Sequence, residues 1–277
     1  MPLNLVVLTD FSPAGARACA YAAALAAPLG AALHLVHVFS PVPMTLHLEE
    51  EVRPIITRHI QEADRLLRLT VQALPMPATA EVVEADWEGA VAQVLAHYQP
   101  LLLLAGLNAT DGSLAEWLSN GPLPLAHLTG YPLLLVPEYL PIAQLRPPTQ
   151  LVLAVEDHPF RLTPQGQALA PVLAKLHCAV VPVTVLPPDR AHKGGAGLRA
   201  VQHSGLANNL LYCELHRVLD NRPASGIWQA TDELEADMVA LLDQGHGWVH
   251  KLFSGSVIAD VLRYSQIPVL LLPLAAD

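Results

Sequence analysis

The stretch GHGWVHKLFSGSV, Gly245 to Val257, places small residues, a lysine and two histidines between an apolar run, MVALL (238–242), and the start of a helical pattern. Such residues at a strand-to-helix junction can hold phosphate. Gly255 and Ser256 would open a helix whose first N–H groups lack partners within the helix. The Ser hydroxyl adds a donor, and the Val257 amide belongs to the same turn. Gly245 would let the backbone approach an anion closely, and Lys251 would bring charge to it. The same Gly-Ser pair is also an ordinary helix cap, so both readings stand. His246 and His250 are spaced i, i+4, as a metal pair on a helix would be, but no acidic third ligand accompanies them.

Other candidate chemistry is thinner. HKGGAG (192–197) is glycine-rich and follows an apolar run, but no Lys-Ser or Lys-Thr pair closes it, so it reads as a mobile linker, with a ligand flap as the alternative. His34 and His37 are three apart on a strand pattern and point to opposite faces. No GxSxG, HExxH or zinc spacing occurs. With no acid, base or nucleophile pattern, an enzyme is not expected.

These residues need elements to place them. LNLVVLT (3–9) is an apolar strand pattern, followed by Ser12 as an N-cap, Pro13 in the first turn and a helix to about Leu29. AALHLVHVF (31–39) is a second strand. Across residues 49–74, Val52, Ile56, Ile60, Ala63, Leu67, Val71 and Leu74 recur at helical spacing. TAEVVEA (79–85), PLLLLAG (100–106) and PLLLVP (132–137) are strands, with helices at WEGAVAQVLAHY (87–98) and LPLAHLT (123–129) between them. Strands alternating with helices predict a parallel, doubly wound α/β sheet. After a linker, EYLPIAQLRPP (138–148), the order restarts. QLVLAVED (150–157) echoes NLVVLTD, VVPVTVL (180–186) supplies a second strand, and LYCELHRVL (211–219) a third. Placing Tyr131 on Ile267 lays YPLLLVP over IPVLLLP. Two domains are therefore expected, residues 1–141 and 148–277.

Bulk properties narrow the function. Charged residues make up only 14 % of the chain and hydrophobic ones 52 %, with a mean hydropathy of +0.37. So little charge implies large buried surfaces between domains or chains. A formal net charge of −10 argues against nucleic acid as a partner. Residues 18–48 carry no Asp, Glu, Lys or Arg, but Pro28, Gly30 and Pro41 interrupt them, so no membrane span is expected. The opening MPLNLVVLTD lacks a basic segment and reaches Asp10 at once, unlike a secretory leader. Three cysteines without a CxxC fit a reduced, cytoplasmic setting.

The order of elements, the opening LVVLTDFSPAG, the run ATDELEADMVALL and above all the ending GSVIADVLRYSQIPVLLLP resemble the universal stress protein family in its tandem form. The resemblance covers nearly the whole chain. It implies, for each domain, a five-stranded parallel sheet of order 3-2-1-4-5 flanked by helices, with a ligand crevice between strands 1 and 4. It further implies an adenine nucleotide, ATP with Mg²⁺ or AMP, in members that keep G-x2-G-x9-G-[ST] after strand 4. In such members an acid at the end of strand 1 meets the base side of the nucleotide. Members without the glycines bind no ATP and act through protein contacts. Pairing through strand 5 is common, so a dimer is expected, together with a pseudo-dimer inside the chain through residues 131–137 and 267–273. The phosphate loops of the fold's adenylating relatives, HxGH and SGGxDS, are missing.

Matched residue by residue, the second half keeps Gly245, Gly255 and Ser256, but Leu242 stands where the first glycine belongs. Its strand-1 acid is Asp157, or Glu156 by the simplest repeat alignment. The first half keeps Gly106 and Asp10. It has Ala109 at the middle glycine and ends, two residues late, in Gly121-Pro122. Pro122 and Pro124 have no N–H, and each donor lost to a phosphate is worth roughly 1.5–3 kcal/mol. Asp10 can equally cap the helix that starts near Ser12. The expectation is a non-catalytic stress protein with its nucleotide site in the second half. The alternative is a protein that binds no nucleotide in either half.

Overall fold

In β1 (Asn4–Leu8) the side chains divide by parity: Leu5 and Val7 join one apolar cluster, Val6 and Leu8 another. A strand buried on both faces behaves this way. The computed structural model describes residues 3–40, 49–108, 126, 128–190, 195–206, 214–243 and 257–275. After β1 come α1 (Pro13–Leu29), β2 (Ala32–Phe39), α2 (Glu49–Ala73), β3 (Thr79–Glu84), α3 (Trp87–Tyr98), β4 (Leu102–Leu107) and β5 (Leu133–Pro137). A 3-10 turn at Ile142–Gln144 leads to β6 (Gln150–Ala154), α4 (Pro164–Gln167), α5 (Ala170–Lys175) and β7 (Ala179–Leu186). The chain continues through α6 (Gly195–Ser204), β8 (His216–Leu219), α7 (Pro223–Glu233), β9 (Met238–Asp243), α8 (Val257–Arg263) and β10 (Val269–Pro273).

The strands form one ten-stranded sheet, β3-β2-β1-β4-β5-β10-β9-β6-β7-β8. Counted within its own half, each set runs 3-2-1-4-5. Every neighbouring pair is parallel except β5 and β10, which meet antiparallel with Leu134 opposite Leu270. The expected pseudo-dimer seam is therefore a continuous sheet. Both seam strands are buried along their whole length. A fully buried Leu contributes about 1.5–3 kcal/mol, so the seam holds the halves firmly together. The strand-5 edge is used up inside the chain, and further pairing of chains would need another surface.

Local sequence explains the first half well. Ser12 caps α1 by accepting from the Gly15 amide at 3.0 Å. Gly30, at φ 62°, closes the helix in a Schellman turn, with Ala31 N–H on the Ala26 carbonyl and Gly30 N–H on Ala27. One face of α1 lies against the sheet, where Ala18, Ala22 and Ala26 are fully buried.

The second half departs from that plan in two places. Its first helix is split into α4 and α5, and the chain before it takes a longer path. Residues 161–163 run beside the end of β10, with Leu162 bridging Leu274 and Thr163 N–H on the Pro273 carbonyl. Of the strand expected at 211–219, residues 211–213 lie outside the described residues, 214 and 215 are not strand, and β8 spans His216–Leu219. HKGGAG was expected to be a mobile linker. Its Gly195, Ala196 and Gly197 instead form the first turn of α6, and Ala200 and Val201 of that helix are buried.

Candidate functional site

The register of the sheet fixes which residues correspond. Leu5 pairs with Leu102 and Leu151 with Met238, while Leu103 pairs with Leu133 and Val239 with Val269. Carried forward, this puts Glu156, not Asp157, in the place of Asp10, and Leu242 in the place of Gly106. Each half has a crevice where the chain leaves its first and fourth strands, the switch point of an open α/β sheet.

In the first half, Asp10 lies at the crevice and is exposed. Its Oδ1 accepts from the Ser12 amide at 3.0 Å and from the Ser12 hydroxyl at 2.5 Å. Asp10 thus orients Ser12, which in turn caps α1. Phe11 has φ 63°, an uncommon left-handed conformation for a large side chain, and its ring tilts against His37 with centroids 4.5 Å apart. His37 Nδ1 lies 2.8 Å from the Thr9 carbonyl, so Nδ1 carries the proton and donates. Beneath this turn Cys19 is buried, and burial pushes its thiol up to about 12, which makes it an inert core group.

Gly106 has a packing role. A Cβ there would lie 2.3 Å from the Ala14 carbonyl carbon and 2.5 Å from the Gly15 nitrogen. The glycine lets α1 press its first turn onto β4. In the second half, α4 starts against the end of β10, where Gly166 faces the Pro273 carbonyl. The equivalent position of β9 carries Leu242, half-buried against the apolar cluster on that face of the sheet.

In the second half, the end of the first strand is in contact with α6. A Cβ on Gly197 would lie 2.2 Å from the Glu156 carbonyl oxygen, so the first turn of α6 rests directly on the residue that matches Asp10. Asp157 Oδ1 accepts from the Ala196 amide at 3.0 Å and caps α6. The Glu156 carboxylate pairs with His158 Nε2 at 3.0 Å. Both candidate acids thus contact their own chain. Val257 is the first residue of α8 and is partly buried against the sheet. Gly245, Lys251, Gly255 and Ser256 lie outside the described residues, as do Ala109, Gly121, Pro122 and Pro124.

The structure brings together Asp10 with Ser12, and Glu156 and Asp157 with α6. Sequence reasoning missed Ala196 and Gly197. Two glycines separated by one residue, 195 and 197, were the available signal, since such spacing suits a close backbone approach as well as a loop. Among the described residues no group of three or more His, Cys, Asp and Glu is placed to hold a metal, and no helix is long and apolar enough to cross a membrane.

The profile of the universal stress protein family matches residues 1–100 and 152–273. No curated protein matches the chain significantly. Among solved structures, a universal stress protein from Archaeoglobus fulgidus DSM 4304 is similar over 99 % of this chain and 97 % of its own, with a TM-score of 0.66 and 15 % identity. A protein of unknown function from Pseudomonas aeruginosa PAO1 is similar over 99 % of this chain and 93 % of its own, with a TM-score of 0.54 and 12 % identity. At these identities the likeness concerns the fold.

Proposed function

The chain belongs to the universal stress protein family, and from that premise we propose that it serves the stress response as a non-enzymatic, cytoplasmic interaction protein that holds no nucleotide in its resting state. The observation that carries this reading is the first turn of α6 seated on Glu156, with Asp157 bonded to Ala196. The base side of the crevice with the better-kept glycine pattern is thus occupied by the chain itself. The other crevice has an exposed Asp10 but is followed in sequence by Pro122 and Pro124, which offer no N–H to a phosphate. Exposed apolar side chains, Leu128, Tyr139, Ile142 and Tyr264, provide surface for protein contacts.

A second reading, adenine-nucleotide binding in the second half, is favoured by the spacing of Gly245, Gly255 and Ser256, which would give a phosphate its donors, with Mg²⁺ if the ligand is ATP. A thermal-shift titration with ATP and with AMP separates the two. The interaction reading expects an unchanged melting temperature. A saturable rise with either nucleotide that disappears in Gly255→Val would replace it with the second reading.

A further inference from the structure

We propose that an apolar chamber on the seam between the halves binds a short-chain aliphatic carboxylate, with the hydrocarbon end inside the chamber and the carboxylate on Lys175. The site goes beyond the interaction reading and does not depend on either crevice.

The two halves build the chamber from matching residues. Its floor contains Leu134 and Leu270, which stand opposite each other on β5 and β10. Its walls come from α1 and α5, which end alike. Ala31 N–H bonds to the Ala26 carbonyl and Cys178 N–H to the Leu173 carbonyl, and Gly30 and His177 are left-handed at φ 62° and 55°. Leu25 and Leu29 of α1 therefore correspond to Val172 and Leu176 of α5, and all four line the chamber. Leu102 and Met238, the first residues of β4 and β9, also line it. The chamber thus lies toward the opposite end of these strands from the crevices.

The chamber measures about 30 Å³ and is lined by apolar side chains alone. It has room for about two waters, but a water there would find no hydrogen-bond partner. Interiors leave few voids of this size, and apolar atoms that enter gain contacts the lining lacks. Leu101 and Leu176 are the partly exposed members of the lining, so the mouth lies beside them.

One asymmetry at the rim selects the ligand. Where the first half has Pro28 before Leu29, the second has Lys175 before Leu176. Lys175 Nζ donates to the Leu29 carbonyl at 2.9 Å, which holds the ammonium over the rim of the chamber. An ammonium has three N–H donors, and this bond uses one. A cation beside a dry, apolar chamber suits a ligand with an anionic head and a hydrocarbon tail. The volume admits the last two or three carbons of that tail, by the measure of about two waters.

Isothermal titration of the full chain with sodium hexanoate tests the site, with hexylammonium chloride as the probe of opposite charge. Hexanoate is expected to bind saturably, once per chain, and hexylammonium at least about tenfold more weakly. Lys175→Met keeps an apolar stem and removes the charge, and should weaken hexanoate by about tenfold. Val172→Leu places there the side chain that Leu25 supplies in the first half, and takes up chamber volume. It should weaken hexanoate by about fourfold, the worth of one buried methylene group. No saturable binding, equal binding of hexylammonium, or an affinity changed by only one variant or by neither would overturn the proposal. Methyl NMR of the unaltered chain decides the place of the tail without any variant. The Leu134 and Leu270 methyl resonances should shift on adding hexanoate, and unshifted resonances would also overturn it. Titrations with ATP bear on the crevices alone, so the two readings fail separately.

Discussion

The two halves share a strand order and differ at the head of the first strand. In the first half the chain turns at once into α1, Gly106 admits the helix onto β4, and Asp10 stays exposed. In the second half the chain detours beside β10, the helix starts elsewhere, Leu242 stands in place of the glycine, and the first turn of α6 rests on Glu156. The difference teaches that a motif glycine can have a packing role: Gly106 lets the first turn of α1 lie on β4, whereas Leu242 at the matching place is half-buried against its own cluster.

The largest expected effect tests that claim. Gly106→Ala should cost about 3 kcal/mol in urea unfolding, since the new Cβ meets backbone atoms of α1 that cannot yield. Leu242→Ala, at the matching place, should cost only about 1–2 kcal/mol, for lost packing of a half-buried side chain. Equal costs would remove the packing explanation.

Next comes the entry to the fourth strand of each half. Asp237 accepts from the Thr149 amide and hydroxyl and from the Gln150 amide, and pairs with Arg146 at 3.2 Å, which ties the linker to β9. The first half has Leu101 there. Asp237→Ala should cost about 2 kcal/mol, because several hydrogen bonds to one charged acceptor are lost. A loss below about 0.5 kcal/mol, the usual effect of a surface substitution, would mean that the linker is held by other contacts.

Helix caps give a finer contrast. Ser12→Ala removes the bond to Gly15 and should cost about 1 kcal/mol. Thr163→Ala removes the cap on Gly166 and also a bond to the Gly130 carbonyl of the first half. It should cost about 1.5–2 kcal/mol, and a cost no greater than that of Ser12→Ala would show the bond to Gly130 to be idle.

The smallest effect is a pH dependence confined to the first half. His34 stacks on Tyr98 with centroids 4.2 Å apart, and the second half has Val181 at that register. Burial holds the imidazole pKa below its ordinary value of 6.5, and the charge on His97 acts in the same direction, with Glu81 opposing both. The unfolded chain therefore binds the proton more tightly than the folded one. The contribution is fully present above pH 6.5 and is lost as pH falls through the lower folded value. Melting temperatures measured below pH 6.5 should fall less steeply in His34→Val than in the unaltered protein. Identical slopes would place the acid sensitivity elsewhere.

Much of this was legible in the sequence. Short apolar runs between helical patterns marked the strands, Ser12-Pro13 and Gly30 bounded α1, and the overlay of Tyr131 on Ile267 located the seam. Asp10 was placed at the crevice, with its capping role as one of two readings. The occupant of the second crevice was hidden, because HKGGAG has the composition of a loop, and only tertiary packing turns Gly197 toward Glu156. The split of the first helix into α4 and α5 was hidden too. It depends on residues 161–163 joining the end of β10, a long-range pairing that no local pattern announces.

The most direct measurement is isothermal titration of the full chain with ATP in the presence of Mg²⁺. With α6 seated on Glu156 and bonded to Asp157, and the first crevice followed in sequence by prolines, the interaction reading expects no binding heat. One-to-one binding that is abolished by Ser256→Ala and unaffected by Asp10→Ala would contradict this. It would show that the three retained positions, Gly245, Gly255 and Ser256, suffice to hold a nucleotide.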